Sequence, residues 1–272
     1  MAVTMAEISK LRTMTGAGMM DCKNALTESN GDFDKAIEII RKKGQAVAAK
    51  RSDREASEGC VLAGTNHDFA AVLALKCETD FVAKNSDFIA LTESILQVAL
   101  AEKPSSKEAL LALTIEGRTI AELITDRSGI TGEKMELSQY EYLNGSSTIF
   151  YIHPGNKLAT IVAFAEPSVP YQVARDVAMQ VAAMNPVSLD RSSVPADIVE
   201  KELEIGREKA RQEGKPEAML DKIAQGRLNK FYQEFTLLEQ EFIKDSKMTV
   251  SQYVKQNNVT PIAFKRITLN QE

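Results

Sequence analysis

Cys77-Glu78-Thr79-Asp80-Phe81-Val82-Ala83-Lys84 stands at a joint between two kinds of structure. Before it runs Ala70-Ala71-Val72-Leu73-Ala74-Leu75, a continuous apolar stretch that reads as a buried strand. After it comes a helix starting near Ser86, with Phe88, Leu91, Ile95, Val98 and Ala99 on its apolar face. A carboxylate and a large aromatic therefore sit side by side where a strand hands over to a helix. Neighbours in such a turn cannot both face the core behind it. Asp80 and Phe81 then read as a short rigid prong, one charge beside one apolar wedge. A buried aromatic anchor is what an interface needs at its centre, and a carboxylate beside it competes for a metal or its ligands. The plainer reading makes Thr79 a helix N-cap and puts Phe81 in the core.

On the C-terminal side, Pro104-Ser105-Ser106 breaks the helix and a short one follows over Lys107 to Leu113. Thr119 and Glu122 form a capping box that opens a helix carrying Ile120, Leu123 and Ile124. Three strands follow: Lys134 to Leu143, Thr148 to His153 and Leu158 to Ala165. Asn144-Gly145 predicts a hairpin between the first two, and Pro154-Gly155-Asn156 a turn between the others. Tyr171 to Met184 reads as a helix with Val173, Val177, Val181 and Met184 on one stripe. From Pro195, placed at the first helical position, to about residue 232, two charged helices joined by Gly214-Lys215-Pro216 predict a protruding antiparallel hairpin. Gly206 and Gly226 weaken it or mark close approaches. A short helix near Thr249 to Gln256 and a strand over Pro261 to Leu269 complete the pattern.

On the N-terminal side, Cys60 to Thr65 pairs with the apolar run 70–77 across Asn66-His67-Asp68. Residues 1–44 predict three short helices. Thr4 and Glu7 cap the first, Asn30-Gly31 ends the second, and Asp32 caps the third. Gly44 is placed as the residue closing the third helix. Helices this short pack as a small bundle whose spare apolar surface offers a docking site. Residues 45–58 read as a linker. With Lys42, Lys43, Lys50, Arg51 and Arg54 it is the most basic stretch of the chain, suited to an acidic partner or simply solvated.

Bulk properties narrow the classes. The chain has 272 residues, 44% hydrophobic and 26% charged, enough for a sizeable core over about two domains. A net charge of -5 argues against a dedicated nucleic-acid binder. No apolar run approaches the ~20 residues that cross a bilayer, and the N-terminal residues lack a signal-peptide pattern. Three cysteines, Cys22, Cys60 and Cys77, with no C-x-x-C, fit a reducing cytoplasm.

Two stretches coincide with one family. Leu11-Arg12-Thr13-Met14-Thr15-Gly16-Ala17-Gly18-Met19-Met20-Asp21-Cys22-Lys23-Asn24-Ala25-Leu26 resembles the N-terminal signature of bacterial translation elongation factor Ts, and 77–84 resembles its second signature. The likeness extends over nearly the whole chain, including Met179-Gln180-Val181-Ala182-Ala183 and Gly226-Arg227-Leu228-Asn229-Lys230-Phe231. The chain departs from the family at Ala74 and Lys76, where an acidic residue and an Asn are usual, and at Pro154 after the histidine. The C-terminal helical module of some members also looks absent.

The resemblance implies an α+β protein in three parts: a ubiquitin-associated-like three-helix domain with a basic linker (1–54), a core N-subdomain (55–139), and a core C-subdomain (140–272) that includes the helical hairpin. Both subdomains carry antiparallel sheets. It implies a guanine-nucleotide exchange factor for elongation factor Tu, cytoplasmic, without covalent chemistry and without a cofactor of its own. Asp80 and Phe81, with Thr79 and Val82, match the family element that intrudes near the partner's Mg²⁺ site. Lys23, with Met19 and Met20, lies in the matching docking helix, and His153 matches the family histidine of the second subdomain. No direct contact with nucleic acid or membrane is implied, and the hairpin is a candidate for pairing into a homodimer or heterotetramer. Two rivals come from the residues themselves. A thiol or metal enzyme would use Cys60, Cys77, His67 and His153, but the spacing of a ligand or nucleophile motif is lacking. A ubiquitin-associated adaptor would use the three-helix domain and leave the second signature without a role.

Overall fold

The structure, a computed structural model, describes residues 3–270. Met1, Ala2, Gln271 and Glu272, at the outer edges of the first and last expected domains, lie outside the described residues. The fold is α+β, with helices and antiparallel strands in two units. One unit holds the chain up to Leu62 together with Leu73–Tyr140, and the other holds Ala63–Val72 and Glu141–Thr268.

The first unit begins with α1 (Met5–Thr15), opened by the Thr4–Glu7 capping box and closed by Gly16 in the left-handed conformation at φ 72°. Then come α2 (Met19–Glu28) and α3 (Phe33–Lys50). Asn30 and Gly31 reverse the chain with φ of 55° and 86°, and the Asp32 carboxylate accepts from Lys35 N. Ile8, Leu11, Cys22, Leu26 and Ala36 form the core of this bundle. Next are β1 (Glu58–Asn66) and β2 (Phe69–Cys77), whose residues 63–72 belong to the other unit, then the single turn α4 (Asp80–Ala83), α5 (Ser86–Glu102) and α6 (Lys107–Ala112). A miniature hairpin, β3 (Thr114–Ile115) with β4 (Arg118–Thr119), leads into α7 (Ile120–Thr131), which starts on the Thr119–Glu122 capping box.

Gly44 does not close α3. The segment that follows it is Gln45-Ala46-Val47-Ala48-Ala49-Lys50, rich in strong helix formers, and the helix runs on to Lys50. The glycine serves packing instead. A Cβ added at Gly129 of α7 would fall 2.2 Å from the Gly44 Cα, so the two helices cross with backbone against backbone. The expected linker shrinks accordingly to a turn after Lys50. Four of its five basic residues pair within the chain: Lys42 with Glu38, Lys43 with Asp21, and Arg51 and Arg54 with Glu78.

Strand β5 (Glu136–Asn144) lies beside β2, giving the sheet order β1-β2-β5. Asn144-Gly145 is therefore not the hairpin turn its composition predicts. Strand β6 (Ser147–Ile152) pairs instead with β7 (Leu158–Phe164). Gly145 is needed for closeness, since an added Cβ would fall 2.9 Å from the Ala163 Cβ. Its amide donates to the Asp68 carbonyl at 2.9 Å. The turn at 154–156 is as expected, with Gly155 at φ 93° and Asn156 at φ 54°.

In the second unit, α8 (Tyr171–Met184) lays Val173, Val177 and Val181 on the apolar cluster of Val162, Phe164, Leu237 and Phe242. Met184 ends outside it, exposed. Helices α9 (Ala196–Gln212) and α10 (Glu217–Phe235) form the hairpin. Pro195 is its N-cap and not its first helical residue. Of the two hairpin glycines, Gly206 is a close approach, with an added Cβ at 2.9 Å from the Ala224 Cα, and Gly226 faces open space. The pair β8 (Glu241–Phe242) and β9 (Asp245–Thr249) had no signal strong enough to read in advance. Then α11 (Val250–Gln256) leads to β10 (Pro261–Thr268), antiparallel to β7, and the sheet order is β10-β7-β6. Among the described residues no helix is long and apolar enough to cross a membrane.

Candidate functional site

Strand β2 ends at Cys77 and the chain turns at once. Thr79 is extended (φ -121°, ψ 155°), and its hydroxyl accepts from Val82 N, so the residue caps α4. Two residues after α4 the next cap begins. The Asn85 side chain accepts from Asp87 N at 2.9 Å and from Phe88 N at 3.4 Å, opening α5. One helical turn held between two caps has little freedom to slide. Phe81 on that turn is 84% exposed. The plainer reading of the sequence is thus half met: Thr79 is an N-cap, and Phe81 is not core. Val82 is half-buried behind it. The Asp80 carboxylate pairs with Lys84 Nζ at 2.7 Å, and that contact holds the Lys84 ammonium above its ordinary pKa.

A second carboxylate holds the turn from the side. Glu133 Oε2 accepts from Glu78 N at 3.1 Å and Thr79 N at 3.0 Å, and Glu133 Oε1 accepts from the Thr79 hydroxyl at 2.6 Å. Glu78 answers in kind, its Oε1 accepting from Lys134 N at 2.7 Å. Its Oε2 meets Arg54 at 3.1 Å and Arg51 at 3.6 Å. The Lys134 amide, more than the guanidinium groups, holds the Glu78 carboxyl below its ordinary value. Nothing in the sequence marks Glu133 as part of this site. Its one signal is its place directly after Gly132, the left-handed C-cap of α7.

Cys77 sits under the prong with its thiol donating to the Thr79 carbonyl. Burial first, and then the charges of Glu133 and Glu58, push that thiol up to about 12. A thiol so placed stays protonated near neutral pH and is a poor nucleophile. Cys22 and Cys60 are also buried. Among the described residues no group of His, Cys, Asp and Glu is arranged to hold a metal ion.

The other residues singled out in the sequence lie on other elements. In α2, Met19 packs against the bundle core. Met20, 64% exposed, and Lys23, also exposed, stand three residues apart on one outer face. Met14 at the end of α1 adds a further exposed methionine that the sequence reading did not select. His153 belongs to the second unit, exposed at the end of β6, with its Nδ1 3.0 Å from the Tyr151 hydroxyl.

Comparison with known proteins agrees with the two signatures. A family model described as elongation factor TS matches residues 78–271. The elongation factor Ts of Porphyromonas gingivalis is 63% identical over 273 residues, covering 99% of each chain. That of Azobacteroides pseudotrichonymphae is 58% identical over 274 residues, covering all of both. That of Phocaeicola vulgatus is 46% identical over an alignment of 331 residues, again covering both in full.

Proposed function

The chain belongs to the elongation factor Ts family, and from that premise we propose that it is a guanine-nucleotide exchange factor for elongation factor Tu. Elongation factor Tu holds GDP through phosphate-cradling amides and a Mg²⁺ ion with few protein ligands. Phe81 enters an apolar cleft of the partner and shifts the elements that hold the metal. Asp80 brings a negative charge that disfavours the phosphate–metal arrangement or draws away a basic group. Met20 and Lys23 dock the three-helix domain of residues 1–54 on the nucleotide-binding domain of the partner, with Met19 supporting them from beneath. His153 supplies a separate contact from the second unit. No bond is made or broken, so the protein speeds exchange without an enzyme's chemical step, and it does this in the cytoplasm where translation runs. The α9–α10 hairpin is its surface for pairing with a second copy.

The observation that carries this reading is the exposed Phe81 on a turn capped at both ends. A solitary aromatic held rigidly in solvent adds nothing to the stability of the free protein and is what an interface anchor requires. Linkage supplies the cycle: if the protein weakens GDP binding to its partner, GDP weakens the protein's own binding by the same factor, and GTP entry then expels it.

Stopped-flow release of a fluorescent GDP from elongation factor Tu, across a range of free Mg²⁺, tests the reading. Wild type accelerates release, and Asp80→Ala/Phe81→Ala does not. Equal acceleration by both moves the mechanism to the docking surfaces. No acceleration by either rejects exchange.

A further inference from the structure

Phe81 is 84% exposed, so its direction is set chiefly by the turn that carries it. That turn is held by a residue outside both signatures. The backbone of Glu133 is itself fixed: its amide donates to Thr131 Oγ1 at 3.3 Å, and the buried Ser128 hydroxyl donates to its carbonyl. From this fixed base the carboxylate takes the amides of Glu78 and Thr79 and the Thr79 hydroxyl. Those amides span the end of β2 and the cap of α4. The Thr79 hydroxyl that Glu133 orients is the one that accepts from Val82 N and closes the turn under Phe81. Three bonds converge on the one carboxylate, two from backbone amides and one from a hydroxyl, so it constrains angle as well as distance.

We infer that Glu133 is a positioning residue for nucleotide exchange, fixing the angle at which Phe81 meets the partner. It acts on the maximal rate of release and not on docking, because Met20 and Lys23 lie on a different element. The inference rests on the wedge reading of Phe81, and the experiment separates the two.

GDP release is measured at saturating and limiting exchange factor for wild type, Glu133→Ala, Glu133→Asp, Glu133→Gln, Phe81→Ala and Phe81→Ala/Glu133→Ala. Glu133→Asp keeps the charge and shortens the reach, and it carries the test if Glu133→Ala melts early. Glu133→Gln keeps the reach and an oxygen acceptor for the two amides. The expected result is a maximal rate lowered about tenfold to a hundredfold in Glu133→Ala and Glu133→Asp, the scale of an ångström's misplacement. Glu133→Gln recovers most of that loss, and half-saturation stays within about twofold in all three. The double variant is no slower than Phe81→Ala alone, since Glu133 acts only through the prong. Wild-type maximal rates in Glu133→Ala and Glu133→Asp, with Phe81→Ala slow, overturn the role of Glu133 alone. Additive losses in the double variant do the same. A wild-type rate in Phe81→Ala overturns the wedge and the inference with it.

Discussion

Gly44 and Gly129 meet without side chains between them: a Cβ built on Gly129 would lie 2.2 Å from the Gly44 Cα, whereas one on Gly44 would find the Gly129 Cα at 3.5 Å. The contact is asymmetric, and the two alanine substitutions therefore differ in sign. Gly129→Ala is expected to destabilise the protein by about 1–3 kcal/mol through overpacking. Gly44→Ala has room and gains helix propensity, so it is expected to be neutral or stabilising by up to ~1 kcal/mol. Urea melts of both variants check this; equal losses would mean that the helices cannot tolerate any added atom at the crossing.

Phe81→Ala removes an exposed ring and leaves the caps on either side intact. The thermal midpoint is expected to stay at the wild-type value. GDP release from elongation factor Tu at saturation is expected to slow by about thirtyfold, the effect of losing an interface anchor worth ~2 kcal/mol. Paired calorimetry and stopped-flow traces decide it, and a fast variant with a lowered midpoint would reverse the assignment from function to packing.

Lys23→Ala removes an exposed charge on the outer face of α2. The concentration of exchange factor at half-saturation is expected to rise about fivefold, as for a solvent-exposed interface charge worth ~1 kcal/mol. The rate at saturation is expected to change far less. A titration of exchange factor against a fixed amount of partner measures both, and an unchanged half-saturation would take Lys23 out of the docking face.

Glu78 makes an acid-sensitive contribution to stability. Its carboxyl is held below its ordinary value near 4.5 by the Lys134 amide and by Arg54 and Arg51. A lowered folded value means that the contribution is present above the unfolded value and is lost as pH falls through the folded one. Glu78→Gln is therefore expected to be less stable than wild type at pH 7 by about 1 kcal/mol, with the gap closing as pH falls from the unfolded value near 4.5 through the lowered folded one. Urea midpoints at neutral and acid pH test this; a gap that persists at acid pH would assign the loss to shape and not to charge.

Cys77, with its thiol pushed up to about 12, is overwhelmingly protonated at pH 8. Cys22 and Cys60 are shielded by burial. The native protein is expected to resist iodoacetamide at pH 8 and to keep its exchange activity, while all three thiols react after denaturation. Mass spectrometry of both states reads this out, and loss of exchange on native alkylation would restore the case for thiol chemistry.

Much of the architecture was legible because it rests on local chemistry. Capping boxes at Thr4–Glu7 and Thr119–Glu122, and the left-handed turn at Asn30-Gly31, are decided within a few residues and fell where expected. What the sequence hid was long-range. Asn144-Gly145 looks like a hairpin, but its glycine answers to Ala163 and its amide to Asp68, partners that no local pattern announces. Gly44 looks like a helix end for the same reason, since only Gly129 explains it. At the site, Asp80 and Phe81 stood out because two unlike residues shared one turn. Glu133 did not, because a carboxylate that accepts from distant backbone amides has the same sequence signature as a solvated one.

The pairing of β7 with β10 sets Phe164 opposite Pro261. This orders events during synthesis. Strand β7 leaves the ribosome with only β6 to pair, and its other edge stays open until β10 has been translated. The α9–α10 hairpin, made of neighbours in the chain, forms in the interval. Contact order makes closing the sheet over so long a loop slower than forming the hairpin. The open edge of β7, whose residues are all buried in the finished sheet, is exposed to wrong pairing until then.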